Sequence, residues 1–108
     1  MATEFKSYIY NNVGATSVTV FTAPEKCVVI GLIASNIYGS VMPITIRLNK
    51  TASSTSSTIV KNRRIESGQF VDFMQGNKLI LEASDYLTAV AGDTNAFDIT
   101  VSVLKGAS

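Results

Sequence analysis

The chain predicts an all-β fold: a single antiparallel β-sandwich, jelly-roll-like, of about eight strands. Three observations carry this. In residues 78–104 apolar and polar side chains alternate, with only short turns between; Phe97, Ile99, Val101 and Val103 point one way, Asp98, Thr100 and Ser102 the other. A period of two marks a strand with one buried face. Turn residues recur roughly every twelve residues, and no useful length of chain shows the 3.6-residue period of an amphipathic helix.

Residues 5–11 set Phe5, Ser7 and Ile9 against Lys6, Tyr8 and Tyr10, a strand with an aromatic-rich face. Residues 12–15 read as a turn. In the next strand, 17–22, Val18 and Val20 share one face, and Thr19 and Phe21 the other. Pro24, with fixed φ and no N–H, suits the following corner. Residues 27–36 are apolar on both faces, as expected of a strand near the middle of a two-layer fold. Residues 41–48 turn Ile44, Ile46 and Leu48 inward and Thr45 and Arg47 outward, with Pro43 near the strand start, where proline is tolerated.

Residues 51–58 are almost all Ser and Thr, and read as a flexible surface loop. A strand over 58–65 carries Lys61, Arg63 and Arg64; a solvated edge strand guarded by charge is expected there. A turn at 66–69, a short strand at 70–74 and a tight turn at 75–77 precede the final segment. That segment reads as three strands joined by short turns, an antiparallel meander.

At 108 residues the chain suffices for one domain with a single core, residues 1–108, and no internal repeat is visible. The opening residues lack the basic and apolar stretches of a signal peptide, and no segment approaches a membrane span, so synthesis in the cytosol without membrane insertion is expected. The net charge of +1 provides no field for nucleic acid. Charged residues make up 16% and hydrophobic residues 46%, against about 25% charged in average domains. Some of that apolar excess is expected to be covered by copies of the chain or by a partner.

The chemistry of catalysis is thinly represented. Histidine is absent and cysteine occurs once, at Cys27 in an apolar run, which excludes histidine-based triads, thiolate metal cages and an intrachain disulfide. Asp72, Glu82, Asp85, Asp93 and Asp98 read as turn and polar-face residues rather than a catalytic pair. Asp93, Thr94 and Asn95 fall short of the six to eight oxygens calcium requires. No catalytic residue, metal ligand or cofactor is expected. Phe5, Tyr8, Tyr10, Tyr38, Arg63 and Arg64 are the candidate partner-interface residues, since aromatics and Arg anchor interfaces.

Two stretches resemble small virion proteins of tailed bacteriophages. Pro24-Glu25-Lys26 followed by a β-run ending in Asn36 resembles their opening. Ile65 and Gly68, then Lys78-Leu79, Leu81-Glu82, Asp85 and Leu87, and finally Asp98, Ser102 and Leu104, are similar to their closing half. Ser84 stands where that pattern has a turn glycine, implying a different turn geometry before Asp85, and Lys105 where it has an acid. The resemblance covers roughly two thirds of the chain. It implies a non-enzymatic structural part of the virion, foremost a capsid decoration (cement) protein that forms homo-oligomers, with a trimer as one closed form, and grips the major capsid protein. The alternatives are a neck, tail, baseplate or fibre component, and a carbohydrate- or receptor-binding module using Tyr38 and the Ser/Thr-rich loop.

Overall fold

The computed structural model describes residues 4–105, which form nine strands and no helix. They are β1 (Glu4–Val13), β2 (Val18–Thr22), β3 (Cys27–Asn36), β4 (Met42–Lys50), β5 (Thr55–Ile65), β6 (Phe70–Asp72), β7 (Leu79–Leu81), β8 (Tyr86–Ala91) and β9 (Phe97–Lys105). Two antiparallel sheets pack as a sandwich. Sheet A has the order β1-β9-β3-β6, with β7 pairing along the same strand β3; sheet B has the order β2-β8-β4-β5. Apart from the β4–β5 hairpin and the broken edge β6/β7, each successive strand changes sheet, which is the jelly-roll-like winding expected.

The final three strands correct one expectation. They do not form a meander: β7 pairs with β3, β8 with β2 and β4, and β9 with β1 and β3. Alternation tells which face of a strand is buried, not which strand lies beside it. The buried faces were legible nonetheless. Phe97, Ile99, Val101 and Val103 are all buried, packed with Cys27, Val29, Leu32 and Ala34 of β3, Ile44 and Ile46 of β4, and Leu87 and Ala89 of β8. Each large side chain in this core is worth about 1.5–3 kcal/mol against exposure.

Bulges account for the other local departures. In β2 the register shifts between Thr19 and Phe21, so Val20 and Phe21 are both buried instead of facing opposite ways. The bulge aims Phe21 inward, where its ring lies 4.8 Å from that of Tyr8 at 52°. Strand β1 runs on through Asn12 and Val13, expected as turn; Asn12 adopts φ 62° and its N–H donates to Asp98 Oδ1. Of the stretch 51–58 expected as loop, only residues 51–54 turn. Thr55, Ser56, Ser57 and Thr58 begin β5 and pair with β4, where Ser56 Oγ accepts from Arg47.

A buried polar residue clasps each end of the sandwich. At one end Asp85, 1% exposed, accepts from the Thr51 N–H with Oδ1 and from the Glu82 N–H with Oδ2. Lys50 Nζ lies 2.6 Å from the same Oδ2. Burial pulls this carboxyl up, but Lys50 and the two N–H groups together hold it below the ordinary carboxylate value. At the other end Asn36, 2% exposed, donates from Nδ2 to Ser40 O and Ile65 O and accepts the Tyr38 N–H. Its own backbone bonds Gln69 O and Gly68 N–H. Asn36 thereby joins the β3–β4 loop, the end of β5 and the β5–β6 turn.

Ser84, just before the Asp85 clasp, takes φ 76°, the left-handed region that glycine enters at least cost. Its N–H bonds Ala23 O and its carbonyl accepts from Thr51 Oγ1, bonds that a glycine keeps. Ser84→Gly is therefore expected to raise stability by about 0.5–1 kcal/mol. Thermal unfolding measures it, and a lowered midpoint would count against this account of the turn.

Candidate functional site

The two outer faces of the sandwich differ in kind. Side chains directly opposite one another in paired strands share a face, so the registers of sheet A line up Phe5, Leu104, Val28 and Ile80 in one row across four strands. A second row holds Ile9, Thr100, Ile33 and Asp72, and a third brings Phe70 beside Ser35 and Asp98. On sheet B the corresponding outward row is Thr19, Thr88, Arg47 and Thr58, and the next is Thr22, Tyr86, Asn49 and Ser56. One face is apolar and the other is hydroxyl-rich.

Exposure bears this out. Phe5 is 74% exposed, Ile9 69%, Phe70 66%, Ile80 55% and Ile30 36%, all on strands of sheet A. Among the described residues the one other large apolar side chain this exposed is Ile37, in the loop after β3. Together with the half-buried Val28, Ile33 and Leu104, they offer on the order of 600 Å² of apolar surface. Two carboxylates in these rows are engaged by backbone: Asp72 accepts from the Leu32 and Met74 N–H groups, and Asp98 from Asn12.

The six candidate interface residues do not form one patch. Phe5 points outward from sheet A, whereas Tyr8 and Tyr10 point inward from β1 and pack half-buried against the core. Tyr38 lies at the Asn36 end, its hydroxyl donating to Asp93 Oδ2 at 2.8 Å. That bond pushes the Tyr38 pKa up, while the Thr94 N–H and the Tyr38 hydroxyl draw the Asp93 carboxyl down. Arg63 and Arg64 are exposed on β5, the sheet B edge farthest in strand order from β2, beside which β1 closes the other side. Tyr38 and the Ser/Thr-rich turn stand at opposite ends of β4, roughly 30 Å apart by strand rise, so they do not share a ligand. The polar cleft at that turn is lined instead by Asn49, Thr51, Ser56 and Tyr86.

The residues that sequence reasoning missed are Ile9, Ile30, Phe70 and Ile80. Ile30 lies in the strand read as apolar on both faces, whereas Ile9, Phe70 and Ile80 became part of a surface only once the registers aligned them.

Four of the five carboxylates weighed as catalytic, Asp72, Asp85, Asp93 and Asp98, accept hydrogen bonds from backbone N–H groups in different parts of the fold. Among the described residues no group of three His, Cys, Asp or Glu is placed to hold a metal ion, and no helix is long and apolar enough to cross a membrane. Cys27 is a free, buried thiol; burial and then Glu25 push its pKa up, with Lys105 opposing.

No protein-family model matches the chain, and no curated protein does. Solved structures do. A protein of the Bacillus endospore appendages, a family of disulfide-linked pili, superposes with a TM-score of 0.55 at 11% identity, covering 95% of this chain and 85% of that one. VP2 of the infectious bursal disease virus subviral particle gives a TM-score of 0.55 at 10% identity over 94% of this chain, which spans only 32% of the viral protein. The Drosophila NLP core, studied for pentamer formation and histone binding, gives 0.51 at 13% identity, with 93% and 96% covered. Proteins of such different roles share one architecture, and what the likeness establishes is that fold, an all-β sandwich of two antiparallel sheets.

Proposed function

We propose that this chain is a non-enzymatic structural protein of a virion, and within that class a capsid decoration protein that associates with itself and stabilises the head. The observation that carries the reading is the apolar outer face of sheet A opposite the hydroxyl-rich face of sheet B. A sandwich with one such face is built to be covered on that side and wetted on the other. Burying roughly 600 Å² of apolar surface at about 25 cal/mol per Å² yields on the order of 15 kcal/mol, against an association cost of about 4–15 kcal/mol. The contact is modest singly and becomes strong through repetition over a shell.

The fold supports this reading, since double-sheet sandwiches of this winding recur in viral capsids, and the viral VP2 neighbour is a particle-forming protein. The pilus neighbour favours it less. That family is disulfide-linked, whereas here the sole cysteine is buried inside the core. Partners in this reading are further copies of the chain and the major capsid protein, with Arg63 and Arg64 on the sheet B edge and Tyr38 at the Asn36 end open to separate contacts away from the apolar face.

Quantitative protein analysis of purified particles tests the assignment. Hundreds of copies per particle are expected of a decoration protein. Six to a few tens would move it to the neck or tail, and its absence from purified particles would overturn the virion reading.

A further inference from the structure

The way the four sheet edges are protected singles out one of them. The edge formed by β6 and β7 consists of two three-residue strands. Strand β2 has five residues and a bulge. Strand β5 is long, but it carries Lys61, Arg63 and Arg64, its register against β4 shifts twice, and Asn62 has a φ of 49°. These are the devices by which proteins keep sheet edges from pairing with other chains. Strand β1 is the least guarded: ten residues long, it follows β9 without a register shift from Glu4 to Tyr10, and its bulge and the positive φ of Asn12 come only beyond that stretch. Its outward side chains Phe5, Ser7 and Ile9 carry no charge, Lys6 lying on the opposite face.

We infer that β1 pairs antiparallel with β1 of a second copy about a two-fold axis through Ser7, joining two A sheets into one. This deepens the structural reading above and rests on it. The register follows from the side chains. Opposed residues must share a face, so a two-fold axis normal to the sheet passes through a residue and not between two. Through Ser7, Phe5 lies opposite Ile9 of the second copy, twice by symmetry, and Lys6 lies opposite Tyr8. Through Lys6, two ammonium groups would face each other and Phe5 would meet Ser7. Through Tyr8, Phe5 would meet Asn11 and Ile9 would meet Ser7. Only the Ser7 axis unites the two large apolar side chains most exposed among the described residues, at 74% and 69%. It also sets both apolar outer faces on the same side, doubling the surface offered to a capsid.

Charge exchange and crosslinking test the register. Phe5→Glu alone and Ile9→Lys alone should each weaken self-association on the order of tenfold, measured by sedimentation. Both changes in one chain set Glu opposite Lys at both positions, and should return the affinity to within a few-fold of the parent. Ser7→Cys should form an intermolecular disulfide on mild oxidation, since opposed Cα atoms in a sheet lie about 4.5–5.5 Å apart. Asn11→Cys, whose symmetry mate is roughly 27 Å away, should not. If the chain self-associates but Ser7→Cys does not crosslink and the double variant is no better than the singles, the β1 pairing is wrong. If the chain is found in particles yet remains monomeric in solution at high concentration, the pairing is likewise wrong while the structural role stands. Absence from particles with normal Ser7→Cys crosslinking would remove the role and keep the pairing.

Discussion

Asp85→Ala is expected to destabilise the fold by about 3 kcal/mol, lowering a urea midpoint by about 1.5 M. The substitution strands the N–H groups of Thr51 and Glu82 at a buried corner and leaves Lys50 without its carboxylate. Asp85→Asn should recover only part of this, because an amide presents one acceptor where the site uses two oxygens. The pH dependence has a definite sign. The folded carboxyl sits below its ordinary value, so the unfolded chain binds the proton more readily. The clasp's contribution is complete above about pH 4 and is lost as pH falls through the folded value. Urea melts of the parent should therefore lose stability across that acid window, and those of Asp85→Ala should lose less. Equal acid sensitivity in both proteins would contradict the assignment.

Asn36→Ala is expected to cost about 2–4 kcal/mol, the loss of a buried side chain that makes three hydrogen bonds. Asn36→Asp should be worse, although it is nearly isosteric. A carboxylate cannot donate to the Ser40 and Ile65 carbonyls, and its charge would be buried against their oxygens. Equilibrium unfolding ranks the three proteins, and an aspartate as stable as the parent would show that Nδ2 is not the donor. Since Asn36 ties together loops at the end away from Asp85, the two sites should destabilise additively.

Neither clasp could be recognised from sequence. Asp85 follows Ser84 as any turn carboxylate would, and its partners Lys50 and Thr51 are remote in the chain. Asn36 merely ended an apolar run. What is local was legible: the core row of β9 and the inward Ile44 and Ile46 follow from a period of two, the bounds of β3 from its unbroken apolar run, and the edge position of β5 from its basic residues. What depends on partners was not. Pairing of β7, β8 and β9 with non-neighbours is decided across the sandwich, and the bulges in β1, β2 and β3 each add a residue that breaks the alternation.

The same holds for the surface. Low charge and high apolar content pointed to covered area without placing it, and of the aromatic candidates on β1, Phe5 faces outward while Tyr8 and Tyr10 face inward. Register puts Phe5, Leu104, Val28 and Ile80 side by side, which no local pattern could.

An electron-microscopy map of the assembled particle, at a resolution that traces side chains, tests the central claim most directly. Neighbouring subunits should lie against Phe70, Ile80 and the rest of the outer face of sheet A, with Thr19, Thr88, Arg47 and Thr58 of sheet B facing solvent. A map in which sheet B is covered and the apolar face of sheet A is bare would contradict it.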